Sequence, residues 1–307
     1  MDSQIPYLGQ MLSILTAVVW AVAVIFFKKS GESVHPIALN FYKNLLAMLL
    51  LVPTIFIFEE GISRSLTIRE YALFLASGAL GIGLADTFFF RSLNLLGAGL
   101  SAIVDCLYSP SIIFLSFIWL GERLQAIEIV GVLLIISAVL TVSKSDRAGH
   151  LSRGDLLRGI FWGALAMGTM AVGIVMIKPL LGNAPFLRIT EVRIIGGTLI
   201  LMVIIAIYPG RSAIMFPRLN RRSLSYVVSG SFLGAYVSMV LWLAGMKYAN
   251  ASVAAALNQT SNIFIFIFAA LFLKEPITSR RVLGIALGAA GVFLVTFGHY
   301  FVAGPNQ

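Results

Sequence analysis

The chain is short of charge. Of its 307 residues 11% are Asp, Glu, Lys or Arg and 59% are hydrophobic, whereas soluble domains carry about a quarter charged residues; an ordinary water-soluble fold is excluded. One cysteine, Cys106, allows neither an internal disulfide nor a thiolate metal cluster. The three histidines, His35, His150 and His299, lie far apart in loops or at a span end. HExxH, paired-histidine and nucleophile motifs are absent, which argues against an integral-membrane enzyme. No GxxxxGK[ST] loop occurs, so this chain does not draw on ATP through a P-loop. No segment is long and polar enough for a separate soluble domain, which argues against a scaffold or receptor. The first apolar stretch lacks a basic leader and is too long for a cleavable signal peptide.

What is present is apolar length, with a mean hydropathy of +0.96. Ten apolar stretches fall near 8–27, 36–58, 71–93, 98–119, 126–143, 157–177, 186–208, 224–246, 251–273 and 281–302. Each is about 20 residues, the length that crosses a bilayer. The runs are continuous rather than alternating, so they predict helices and not barrel strands. The net charge of +9, from 22 basic and 13 acidic residues, marks cytoplasmic loops in a membrane protein rather than a nucleic-acid surface. The expected setting is multi-pass insertion in the plasma (inner) membrane. The expected partners are the lipid bilayer and a small-molecule substrate, with no nucleic acid, metal or cofactor; the oligomeric state is open, and a monomer suffices.

The chain repeats. A shift of 153 residues places Gly81 on Gly234, Ala98 on Ala251, Glu122 on Glu275 and Gly131 on Gly284. In the first two spans of each half the shift is 150, which places Ala21 on Ala171, Lys28 on Lys178 and Lys43 on Arg193. The reading is an all-α membrane protein of ten transmembrane helices in two inverted five-helix repeats, residues 1–143 and 157–307, joined by a linker loop at 144–156. An odd number of spans per half forces opposite orientations, the inverted repeat of many secondary transporters, whose substrate site lies near the midplane.

The segments GLADTFFFRSLNLLGAGLSAIVDCLYSPSIIFLSFIWLGERL and GAYVSMVLWLAGMKYANASVAAALNQTSNIFIFIFAALFLKEPI, each followed by a Gly-rich fifth span, resemble the EamA group of the drug/metabolite transporter superfamily. The "GE" and "KEP" after spans four and nine and the basic residue in the second span of each half anchor the resemblance. It covers nearly the whole chain and implies secondary transport, often efflux of amino acids or related metabolites, without implying one substrate.

Polar groups inside spans are costly and usually face a bundle interior or a water-filled cavity. Span two holds Asn40, Lys43 and Asn44, span three Asp86 and Arg91, span four Asp105, Tyr108 and Ser109, span seven Thr190, Glu191 and Arg193, and span nine Asn258, Gln259, Ser261 and Asn262. Ser101, Asp105, Tyr108, Ser109 and Ser116 recur at three and four, so they share one helical face, as do Ala254, Asn258, Ser261 and Asn262. The shift of 153 places Asp105 on Asn258 and Ser109 on Asn262. Lys43, Asp105, Tyr108, Ser109, Arg193, Asn258 and Asn262 are therefore the expected substrate-binding set, with Asp105 and Asp86 as candidate proton-coupling groups.

Plainer readings stand beside these. Lys43 and Arg193 could snorkel or pair with a carboxylate for packing. Asp86 could pair with Lys43 or Arg91. Asn258, Gln259 and Asn262 could be glue between helices. Glu122 and Glu275, at span ends, read as structural caps. Trp20, Trp162 and Trp242 read as packing, and the Gly230/Gly234 and Gly284/Gly288 pairs as close helix contacts within the bundle. Asn250 and Ser252 match a glycosylation sequon of a kind common by chance. The resemblance implies that a small multidrug exporter of the same superfamily would keep a carboxylate in its first span; spans one and six carry no intramembrane acid, which argues against a lipophilic-cation exporter of that type. Buried cations favour an anionic substrate, an amino acid or organic anion, with a nucleotide-like or phosphorylated metabolite as the alternative. Loop charge puts the side bearing Lys28, Lys29, Arg211, Arg221, Arg222, Arg280 and Arg281 in the cytoplasm and both termini outside.

Overall fold

The structure, a computed structural model, describes residues 7–58, 66–121, 125–143, 151–183, 186–215, 217, 219–248, 254 and 257–303. These form α1 (Leu8–Ser30), α2 (Pro36–Phe58), α3 (Ile68–Leu96), α4 (Ala98–Leu120), α5 (Ala126–Ser143), α6 (Arg153–Val175), α7 (Phe186–Ile207), α8 (Arg221–Ser231 continuing through Ser238–Tyr248), α9 (Leu257–Phe272) and α10 (Ser279–Ala303). Among the described residues nine helices are long and apolar enough to cross a membrane, α9 is a shorter apolar tenth, and there is no strand. The chain is an all-α membrane protein of ten transmembrane helices in two inverted five-helix repeats.

The polarity is that of a protein solvated by lipid. Phe56 is 83% exposed and Leu271 65%, while Asn40 is fully buried and Lys43 is 6% exposed. Many large apolar side chains point outward, and several polar ones point inward. The central core runs through α1, α2, α3, α4 and α9, where Phe27 stacks against Phe90 at 5.0 Å between ring centres. α5 and α10 pack backbone to backbone, since a Cβ on Gly131 would lie 2.7 Å from the Gly291 carbonyl oxygen. Small residues permit such close approach of helices in lipid.

Caps explain where several helices start. Thr67 accepts the Glu70 N–H through Oγ1 at 3.3 Å, and the Glu70 carboxylate accepts the Thr67 N–H at 2.8 Å. This capping box starts α3 at Ile68, three residues before the expected span. Ser152 caps α6 by accepting the Asp155 N–H at 3.1 Å, so the helix begins at Arg153, inside the segment expected to be linker. Asn220 caps α8 in the same way, accepting the Ser223 N–H at 2.7 Å.

Both halves interrupt the same two helices. In α3 a π turn spans Ala79–Leu84, and the Ala85 N–H reaches back five residues to the Leu80 carbonyl. In α8 a π turn spans Phe232–Val237, and the Ser238 N–H reaches the Leu233 carbonyl. These places differ by the repeat shift of 153. α4 tightens at Leu107, whose N–H bonds to Val104 O at 2.9 Å, and α9 tightens at Thr260, whose N–H bonds to Leu257 O at 3.1 Å. Pro110 contributes in α4, because it offers no N–H to the Cys106 carbonyl. The matching residue in α9 is Ile263. There the Thr260 hydroxyl donates to Leu257 O at 2.5 Å instead.

Candidate functional site

Lys43, on α2, forms a buried ion pair with Asp86 Oδ2 on α3, and its ammonium lies 5.9 Å from the centre of the Phe90 ring. Of the two partners that the sequence offers Asp86, the structure selects Lys43. Arg91 instead stacks its guanidinium on Trp162, 4.2 Å from the ring centre. One turn before Lys43, Asn40 donates to Ile82 O at 2.8 Å and to Gly83 O at 2.9 Å. These carbonyls belong to the π turn, so Asn40 stabilises the interrupted backbone rather than lining a site for solute.

Arg193, the Lys43 counterpart on α7, donates from Nε to Ser77 Oγ at 3.1 Å, and Ser77 donates in turn to Gly173 O at 2.5 Å. Gly78 lets α3 approach this point, since a Cβ there would lie 1.8 Å from the Arg193 carbonyl oxygen. Among the described residues neither Nη of Arg193 has a hydrogen-bond partner. The guanidinium lies within electrostatic reach of Tyr108 and Asp86. Each half thus supplies one interior cation, and the two share one carboxylate. The second half has Met239 where the first has Asp86, so this cluster carries one more positive charge than negative.

Asp105 is partly buried and stands three residues before Tyr108, across the tight turn of α4. No hydrogen bond or ion pair from a described residue reaches its carboxylate. The sequence offered Lys43 as a cation that could hold it, but Lys43 is on Asp86. One turn earlier the Ser101 hydroxyl is buried without a partner, as is Asn258 Oδ1 on α9. Asn262 donates to the Cys106 sulfur at 3.5 Å, and Gln259 donates to Ser109 Oγ at 3.2 Å. Ser109 and Asn262 thus make contacts between the halves, of the kind that such side chains commonly supply in lipid. Gln259 and Cys106, outside the expected set, are their partners.

Glu275 reaches further than a local cap. From the α9–α10 connection it accepts the N–H groups of Ala98 at 2.7 Å and Gly99 at 3.0 Å, where α4 begins in the other half. Arg281 flanks it at 3.7 Å. Gly97 has φ +84°, and a Cβ there would lie 2.5 Å from Glu275 Oε1. On the same face Lys28 donates to Asn94 O at 2.9 Å. Glu122, His150 and the sequon at Asn250 and Ser252 lie outside the described residues.

The comparisons agree with this architecture. A "transporter" of Archaeoglobus fulgidus, called uncharacterized, is 24% identical over 286 residues, covering 93% of this chain and 96% of its own. One from Methanothermobacter thermautotrophicus is 25% identical over 303 residues, covering 92% of this chain and 85% of its own. YvbV of Bacillus subtilis, likewise an uncharacterized transporter, is 25% identical over 241 residues, 76% of this chain and 74% of its own. A protein of known crystal structure superposes with a TM-score of 0.66 at 15% identity, covering 97% of this chain and 99% of that one; this likeness concerns the fold alone. A sequence profile described as the EamA-like transporter family matches twice, over residues 7–144 and 157–297. Two matches that together span most of the chain leave no ambiguity of kinship: it belongs to the EamA-like transporter family.

Proposed function

We propose that this membrane transporter moves a small metabolite bearing a carboxylate, an amino acid or organic anion, by alternating access. The observation that carries the reading is the Arg193 fork. Its Nε is fixed on Ser77 at 3.1 Å, its two Nη groups face the interior without partners among the described residues, and Tyr108 is within electrostatic reach. A planar fork with two free N–H groups matches a carboxylate in bidentate geometry. Asp105, three residues before Tyr108 across the tight turn of α4, supplies a carboxylate for an amine. A zwitterion bridges the two, which favours amino acids over simple carboxylates. Efflux is the direction proposed, on family kinship.

The test is uptake into proteoliposomes of a panel of labelled amino acids, organic acids and sugar phosphates. Arg193→Met is expected to abolish saturable flux of the preferred substrate while the variant stays monodisperse and inserted. Losing one partner of a buried charged contact weakens binding by about 2–5 kcal/mol. Asp105→Asn is expected to lose amino acids and to retain carboxylates that lack an amine. Saturable flux of unchanged affinity in Arg193→Met would remove Arg193 from the site. Preference for sugar phosphates would redirect the same fork to a phosphate.

A further inference from the structure

We propose that Asp86 is a built-in counter-anion that the substrate must displace, so that each anion bound is accompanied by one proton taken up at Asp86. This rests on the reading of Arg193 as the anion fork. Asp86 is ion-paired with Lys43 and within electrostatic reach of Arg193. Lys43 and Arg193 occupy matching places in the two halves. One carboxylate thus pairs with one of two repeat-related cations and lies within electrostatic reach of the other, the charges that a substrate carboxylate would seek.

Lys43 of α2 is ion-paired with Asp86, and Arg193 of α7 is within electrostatic reach of Asp86 and of Tyr108 on α4. Arg91, on the same helix as Asp86, is stacked on Trp162 of α6. Lys28 of α1 is bound to Asn94 O. Asp105 makes no ion pair with either cation. No second carboxylate occupies the mate of Asp86, where Met239 stands. An incoming anion and the Asp86 carboxylate therefore compete for the same positive charge. A proton from solvent adds to the Asp86 carboxylate, no other bond is made or broken, and both cations become available to the incoming anion. Moving anion and proton together leaves the interior charge of the loaded carrier unchanged.

The experiment uses the purified full chain in detergent with acetate, benzoate and glutamate as probes, at about pH 6 and about pH 8, where carboxylates stay ionised. In the wild type the affinity for a bound probe is expected to weaken as pH rises, by up to about tenfold per pH unit for one linked proton. Adding that probe in weak buffer near pH 8 should raise the pH by uptake of about one proton per anion bound. Asp86→Asn is expected to bind with one affinity at both pH values and without proton uptake. Arg193→Met is expected to lose binding. The wild-type proton count stands even if Asp86→Asn fails to fold. Binding that Arg193→Met abolishes but that carries no proton in the wild type, or pH dependence that persists in Asp86→Asn, overturns the coupling and spares the anion site. Failure of every probe to bind, or undiminished binding in Arg193→Met, overturns the anion site and this inference with it.

Discussion

Asn262 donates its side-chain amide to the Cys106 sulfur across 3.5 Å, and the repeat shift of 153 residues carries this contact onto the one between Gln259 and Ser109. The two contacts are each other's image, so they flank the axis that relates the halves. An inverted-repeat transporter changes facing by exchanging the conformations of its halves. Contacts off the axis are then replaced by their mates, whereas this pair is kept. Cys106, 1% exposed, is accordingly expected to resist a small maleimide with or without a substrate gradient and to react once the protein is unfolded. Labelling that switches on with the gradient would show that the clasp opens. Asn262→Ala is expected to cost about 0.6 kcal/mol, the average for such contacts in membranes.

The Glu275 carboxylate at the start of α4 predicts a graded series in thermal unfolding. Glu275→Gln keeps the shape and loses the charge that the helix N-terminus attracts, and Glu275→Ala loses the acceptor as well. The second is expected to cost up to about 2 kcal/mol, the upper range for a partly buried charge at a helix end. Gly97→Ala is expected to cost about 1–3 kcal/mol through backbone strain at φ +84°, with a further loss because its Cβ would meet Glu275 Oε1. A melting temperature for Gly97→Ala equal to wild type would refute this account of the cap.

His35, in the α1–α2 connection, predicts a pH effect. Its Nδ1 accepts the Ile37 N–H at 3.4 Å and its ring rests 5.6 Å from that of Tyr208. Burial first, and the positive charge of Arg91 second, push the imidazole below its usual range. The unfolded chain then binds the proton more readily than the folded one, so stability falls as pH drops through the ordinary histidine range and levels off below the depressed folded value. Replacing His35 with Gln should flatten the melting temperature between about pH 7 and about pH 5.5 relative to wild type. An unchanged slope would assign the effect to other groups.

Orientation follows from loop charge. Lys28, Lys29, Arg211, Arg221, Arg222, Arg280 and Arg281 share one side, and the positive-inside rule places that side in the cytoplasm. A reporter fused at Gln307 is expected to behave as extracytoplasmic. A cytoplasmic signal would reverse the topology, with no change to the interior site.

Helix number and the register of the repeat were readable because both rest on long runs of apolar residues. The two cations were readable because charge inside a span is rare. What failed was assignment of partners. Glu275 looked like a local cap, since nothing in KEP says that its carboxylate crosses to the other half. Asn258 and Asn262 share a face by helical spacing, and that spacing gives no sign of the contact from Asn262 to Cys106. Spacing on α9 also assumes a regular helix, and the turn at Thr260 breaks that assumption. Ser77 gives no signal in the sequence, because serine is cheap in a membrane helix; its part is visible only with Arg193 beside it.

The same limitation has a positive side in α3. Ser77 and Asp86 are nine residues apart; in an unbroken α-helix that separation turns a side chain by about 180°, to the opposite face. The π turn at Ala79–Leu84 absorbs one residue, and the remaining eight turn it by about 80°. Ser77 can then hold Arg193 while Asp86 still looks toward it. Straightening the turn into a regular α-helix with all nine residues kept would rotate everything after it by about 100°, separating Asp86 from Lys43 without altering a single charged residue, whereas deleting Ile82 would leave eight residues and keep the phase. The interior charge balance of this carrier is thus written in the phase of a helix as well as in its side chains.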